Sequence, residues 1–203
     1  MNTVSKTLVL CLAAVLSMGA CKKSDTGAVG NAVEKVTAMA SGSNLLTDAA
    51  ALQAAEDALK AMPQYKGKAV NVFQNVKFYG GSGSRIEIDV QDPANPENID
   101  HFEYKNGKWS EPSPVQISGG GDMKSNVTPL DKIKFATVAS ISQAWAAKAK
   151  EVGAEKQELD FAVFQLFVPN QDRYWTTASI ETPRAKYDMR FNPDGSLKSF
   201  EKQ

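Results

Sequence analysis

Val70-Asn71-Val72-Phe73-Gln74-Asn75-Val76-Lys77-Phe78-Tyr79-Gly80-Gly81-Ser82-Gly83-Ser84-Arg85-Ile86-Glu87-Ile88-Asp89-Val90 reads as two strands and the turn between them. Val70, Val72, Val76 and Phe78 recur with period two. So do Ile86, Ile88 and Val90, which alternate with Arg85, Glu87 and Asp89. Strict alternation puts one face on a core and the other in water, the pattern of an antiparallel sheet covered on one side. Gly80–Ser84 is glycine-rich, but it lies between strands rather than ahead of a helix. It therefore lacks the helix N-terminus that cradles phosphate, and a hairpin turn is the expectation.

Upstream, Thr47 or Asp48 is placed to cap a helix with Leu52, Ala55, Leu59 and Met62 on one face, ended by Pro63. Downstream, Asp100, Phe102 and Tyr104 lead into Asn106-Gly107, a type I′ hairpin signal, with Trp109 just beyond it. Ser118–Ser125 holds three consecutive glycines and reads as a linker. Thr128-Pro129-Leu130-Asp131 then offers a helix entry, with Val138, Ile141, Trp145, Ala149 and Val152 on one face and Gly153 as the stop. Phe161, Val163 and Phe167 point one way from the next strand; Ala162, Phe164, Leu166 and Val168 point the other. Apolar side chains on both faces mark a central or interface strand. Tyr174, Thr176, Ala178 and Ile180 continue, then Tyr187, Met189 and Phe191, and Asn192-Pro193-Asp194-Gly195 turns the chain.

The two halves have the same order of elements at an offset of about 90 residues, with little identity of letters. The expected fold is α+β, two tandem helix-plus-antiparallel-meander repeats. The expected boundaries are 1–20 for a signal peptide, 21–44 for a flexible tether, 45–118 for the first repeat, 119–127 for the linker and 128–203 for the second repeat. One helix followed by a meander resembles the tandem modules of PepSY-like and beta-lactamase-inhibitor-protein-like periplasmic proteins. That resemblance rests on element order and on turns such as Tyr104-Lys105-Asn106-Gly107-Lys108-Trp109. It implies an inhibitor or binding module rather than a catalyst.

At the N-terminus, Lys6 precedes an apolar run from Leu8 to Met18, and Met18-Gly19-Ala20-Cys21 follows. The run is short for a spanning helix, which needs about 20 residues. The order resembles a bacterial lipoprotein signal, with Met18 where that family usually has Leu. The resemblance implies lipidation of Cys21, a membrane anchor, and an address on the periplasmic side of the outer membrane, since Lys22 rather than Asp follows the cysteine. Cys11 would leave with the signal, so no disulfide is expected among the two cysteines.

Charge and composition narrow the function further. The formal net charge is zero, which argues against a general nucleic-acid binder. The single histidine, His101, argues against a histidine-based metal cluster or relay. Asp92, Asn95, Glu97, Asn98 and Asp100 are oxygen-rich, but their spacing matches no calcium loop. No nucleophile motif such as Gly-x-Ser-x-Gly occurs, so no catalytic residue, metal or cofactor is expected. Asp160, Glu181 and Asp188 are carboxylates whose mutual placement the sequence leaves open.

Tyr, Trp and Arg are enriched where proteins meet, which draws attention to Arg173-Tyr174-Trp175. If Tyr174, Ala178 and Ile180 face the core, Trp175 and Arg173 lie on the open sheet face, as Arg85 and Glu87 do in the first half. Cover by a second layer is the alternative for Trp175. The function expected is a lipid-anchored periplasmic protein-binding module, an inhibitor or immunity protein against a secreted or periplasmic enzyme. An envelope-assembly scaffold is the alternative, with a small-ligand binder or hydrolase behind it.

Overall fold

A computed structural model describes residues 44–119 and 121–203. Asp48 caps the first helix, α1 (Ala49–Lys60). Its carboxylate accepts the backbone N–H groups of Ala50 and Ala51 at 3.0 and 2.9 Å. This satisfies donors that a helix start leaves orphaned. Leu52, Ala55 and Leu59 are buried along one stripe, and the helix ends before Pro63.

The first half continues with β1 (Asn71–Tyr79), β2 (Arg85–Gln91), β3 (Ile99–Lys105), β4 (Lys108–Trp109) and β5 (Ser113–Val115). The second half brings β6 (Val127–Pro129), α2 (Thr137–Glu151), β7 (Phe161–Phe167), β8 (Asp172–Thr177), β9 (Ile180–Thr182), β10 (Ala185–Phe191) and β11 (Leu197–Lys202). All the strands join one antiparallel sheet in the order β11-β10-β8-β7-β1-β2-β3-β4. The fold is α+β, with a few helices and a large antiparallel sheet.

The long strands of the two halves meet in the middle, where Asn75–Tyr79 of β1 pairs with Phe161–Gln165 of β7. Later strands run outward on each side. The alternation read from the sequence has the expected result. Val72, Val76, Phe78, Ile86, Ile88, Val90, Ala162 and Phe164 are buried on one face, against both helices. Phe78 touches Phe135 at 5.0 Å and Trp175 at 5.7 Å between ring centroids, and Trp175 meets Phe164 at 5.1 Å. This aromatic cluster takes side chains from both halves, so they share one core. Trp145 on α2 is buried as well, and its indole N–H donates to the Ala178 carbonyl at 2.7 Å.

Two expectations need correction. Residues 119–127 are not simply a linker: Met123–Asn126 forms a short 3-10 turn and Val127 already starts β6. Nor is Thr128-Pro129-Leu130-Asp131 a helix entry, since β6 pairs with Asn71–Phe73 at the start of β1 and Thr128 is buried. Helix α2 begins only at Thr137. The same side of β1 therefore pairs first with β6 and then with β7. Between the two, Gln74 adopts φ 53° in a bulge, and its side-chain amide donates to Asn126 Oδ1 at 3.0 Å. A bulge lets one strand change partners without a break.

Glu56, fully buried on α1, ties the two halves together. Its carboxylate accepts the Phe135 N–H at 3.0 Å and pairs with Lys60, and Lys134 Nζ lies 3.9 Å away. Glu56→Leu removes the side-chain acceptor of that buried N–H. The variant is expected to lose about 1–3 kcal/mol in a denaturant titration. At Gly195 (φ 86°), an added Cβ would lie 2.5 Å from Thr137 Cγ2 at the start of α2. Gly195→Ala is expected to cost at least about 1–2 kcal/mol from its left-handed backbone alone, read as a lower midpoint in the same titration.

Candidate functional site

Both helices lie on one face of the sheet, and no described helix covers the other. The central strands give that open face its character. Phe161 and Phe167 of β7 are 37% and 49% exposed, with half-buried Val163 between them. Tyr79 sits beside Phe161 on β1, and Tyr174 beside Gln165 on β8. These side chains form an aromatic and aliphatic strip along the middle of the sheet. Exposed apolar side chains grouped this way mark interaction surfaces more often than isolated ones do.

Charges flank the strip. The Arg85 guanidinium lies 3.8 Å from the Tyr79 ring centroid and donates to Glu87 Oε1 at 2.7 Å. That hydrogen bond, more than the surrounding charges, holds Arg85 in its charged form, above its ordinary pKa. His101 Nδ1 lies 2.7 Å from Asp89 Oδ1 on the neighbouring strand. On the other flank, Arg190 and Lys198 stand 5.6 and 5.4 Å from the Tyr174 ring centroid. Lys198 also donates to Asp172 Oδ2 at 2.8 Å, which lowers the Asp172 pKa. Arg85 and Glu87 are thus on the open face, where the alternation of β2 places them.

Trp175 and Arg173 are not on that face, which corrects the sequence expectation. Trp175 is fully buried and its indole N–H donates to the Pro193 carbonyl at 3.2 Å. Arg173 lies on the same side and is occupied by the chain itself. Its Nε donates to Thr128 Oγ1 at 3.0 Å and its Nη1 to the Gln171 carbonyl at 2.9 Å. The cause is a change of phase. β8 ends at Thr177 and β9 starts at Ile180, so counting back by twos from buried Ile180 crosses Ala178-Ser179 and lands on the wrong face. Tyr174, assigned to the core by that count, is the aromatic that faces outward. Phe161, Val163 and Phe167 carried the better signal, namely apolar side chains on the second face of an already buried strand.

Other places offer less to chemistry. Among the described residues, no cluster of three or more His, Cys, Asp or Glu side chains is arranged to hold a metal ion. Asp160 and Glu181 line a groove of about 420 Å³ with Trp145, Phe161, Ser179 and Lys156. Asp160 is neutralised by Lys156 at 2.5 and 2.6 Å, and Asp188 accepts from Ser179 at 2.7 Å. At the start of β3, beside the oxygen-rich loop, burial and then the nearby Asp92 push the Asp100 carboxyl above its ordinary pKa. Cys21 lies outside the described residues. Among the described residues, no helix is long and apolar enough to cross a membrane.

Comparison with known proteins adds an envelope context. No family profile matches the chain. The chain is 26% identical over 147 residues to "Probable lipoprotein EnvF" of Salmonella typhimurium (strain LT2), covering 67% of this chain and 55% of that protein. It thus spans about half the length of this curated relative. A solved structure of a protein described as a lipoprotein of Clostridium difficile 630 aligns with a TM-score of 0.43 and 8% identity, over 66% of this chain and 83% of that one. The EnvF similarity supports a bacterial envelope lipoprotein. Neither name states a catalytic activity.

The two faces of the sheet predict opposite mutational behaviour. Phe161→Ser with Phe167→Ser should shift stability by no more than about 1 kcal/mol, because both rings already face solvent. Trp175→Ala should cost about 3–5 kcal/mol. Paired denaturant titrations measure both. Asp100→Asn should raise stability at neutral pH. A carboxyl whose folded pKa is raised favours folding in its protonated form, and that stability is lost as pH rises through the folded pKa. The gain should shrink as pH falls through the raised folded pKa and be gone below about pH 3.9, the ordinary Asp value, in a pH series of thermal melts.

Proposed function

We propose that the chain is a lipid-anchored envelope protein that binds another protein through the open face of its sheet. The observation that carries this reading is the strip Phe161, Val163, Phe167, Tyr79 and Tyr174, flanked by charges and covered by no described helix. An apolar centre with Tyr and Arg around it and a charged rim is the anatomy of a protein interface. Arg85 and Glu87 belong to that rim; Trp175 and Arg173 support it from the other side of the sheet.

Cys21 is the lipidation site in this reading. Several acyl chains on one cysteine anchor strongly, at about 0.8 kcal/mol per buried methylene. The lipobox-like order and the similarity to a named lipoprotein support the anchor. The outer membrane, on its periplasmic side, is the proposed address. Two halves that each supply a helix and an outward run of antiparallel strands support a tandem repeat of the PepSY-like or beta-lactamase-inhibitor-protein-like kind. Within the binding class we favour an inhibitor or immunity protein acting on a secreted or periplasmic enzyme. A scaffold in envelope assembly is the second reading, favoured by the breadth of the face.

Two experiments test this. Cys21→Ser should abolish incorporation of radiolabelled palmitate and move the protein out of the membrane fraction; unchanged labelling would sink the anchor. Detergent-solubilised full-length protein should capture a defined partner by affinity mass spectrometry, and Phe161→Ser with Phe167→Ser should reduce that capture at least about tenfold, as loss of central interface contacts does. Capture indifferent to both phenylalanines would remove the open face from the account. A captured hydrolase or toxin favours inhibition; captured assembly factors favour the scaffold.

A further inference from the structure

We infer that the occupant of the open face is a second copy of this chain, packed sheet to sheet about a twofold axis parallel to the strands. The inference rests on the reading that this face is a binding surface. Its first support is one row of residues running straight across the sheet. Glu103 of β3 faces Glu87 of β2, which faces Lys77 of β1. Lys77 faces Val163 of β7, which faces Thr176 of β8, which faces Arg190 of β10. One end of the row is doubly acidic and the other ends in a guanidinium.

The midline of that row falls between Lys77 and Val163, at the β1–β7 junction. β3 and β10 are each the third strand out from it. A twofold rotation about an axis along the strands keeps the row in place and exchanges its ends. Arg190 of each copy then lies over Glu103 of the other, a contact made twice. Such self-complementarity is the requirement of an isologous dimer. Both groups are available. Arg190 is exposed, and Glu103 reaches Arg85 only at 3.9 Å with 40% of its side chain exposed. The same rotation lays the β7 strip of each copy over β1 of the other, so Phe161 meets the other copy's Tyr79 and the Lys77 stem lies along Val163.

The size of the face also fits. Six strands spaced about 4.8 Å apart and about seven residues long present roughly 700 Å². A stable interface buries about 800 Å² per partner. Sheets packed face to face keep their strands within about 30° of each other, which a strand-parallel axis provides.

The position of the chain entry gives independent support. Asn44 caps a short turn at Leu45–Thr47 and lies against Gly80, which also faces the Leu159 carbonyl, at the end of the β1–β7 pair. Rotation about a strand-parallel axis leaves both Asn44 residues at the same end of the dimer. Both chain entries therefore sit on one side of the dimer, an arrangement that suits two copies anchored in one membrane.

Thiol crosslinking in intact cells, with a membrane-permeant bis-maleimide that spans about 10 Å, the spacing of sheets packed face to face, tests the inference on the full-length anchored chain. Its two native cysteines, Cys11 and Cys21, both lie ahead of the described residues. Glu103→Cys and Arg190→Cys are introduced together and separately. Within one chain the two positions are five strand spacings apart, about 24 Å. The crosslinker is too short for that distance, so any link between the two positions joins two copies. The double variant, and a mixture of the two single variants, should run as a dimer on denaturing gels after crosslinking. Each single variant alone should remain monomeric. No dimer from the double variant or the mixture, or equal dimer from each single variant, overturns the inference. If the dimer is absent but capture of another protein still depends on Phe161 and Phe167, only the second copy is lost as occupant. If neither is seen, the open-face reading falls with it.

Discussion

Everything in this structure depends on the pairing of β1 with β7. Each half of the chain supplies a helix and a run of strands, and neither half closes a core alone. Phe78 of β1 packs edge-on against Phe135 and at a tilt against Trp175, which in turn meets Phe164, all three from the other half. The ladder from Asn75↔Gln165 to Tyr79↔Phe161 fixes the register in which those rings meet. A slip of one residue would turn every side chain of β7 to the opposite face. Glu56 secures the same union from the helical side by accepting the Phe135 N–H across the halves.

This constraint also creates the open apolar surface. A central strand buried on one face still has a second face. With both helices on one side, the other side of β7 is left with Phe161, Val163 and Phe167. The charged neighbours hold the strip in place rather than filling it. Arg85 and Lys198 both reach over tyrosine rings while bonded to carboxylates. Such side chains are ordered before any partner arrives, which lowers the entropy cost of binding.

Local patterns in the sequence were legible wherever one physical rule acted alone. The alternation of β1, β2, β7 and β10, the Asp48 cap and the Asn106-Gly107 turn all stand where the residues place them; Asn106 and Gly107 both have positive φ. Trp175 was misplaced because a period of two holds only within an unbroken strand, and Ala178-Ser179 separates β8 from β9. Strand β6 was invisible because three residues, one of them proline, carry no period. That β1 would lie beside β7 was equally hidden, since strand order across a gap of more than eighty residues is a property of the whole core. The strip itself was legible in Phe161, Val163 and Phe167, once their strand was known to be buried on its other face.

The entry point at Asn44 has a kinetic meaning. The chain enters the domain at one end of the central strands, and an anchor at Cys21 would keep the open face close to a bilayer. Proteins held at a surface search in two dimensions rather than three. Their effective concentration is set by the leaflet and the tether rather than by the bulk volume, and even a contact weak in solution can be well occupied when both participants share a surface. Membrane crowding would then act as a rheostat on how much of the face is free.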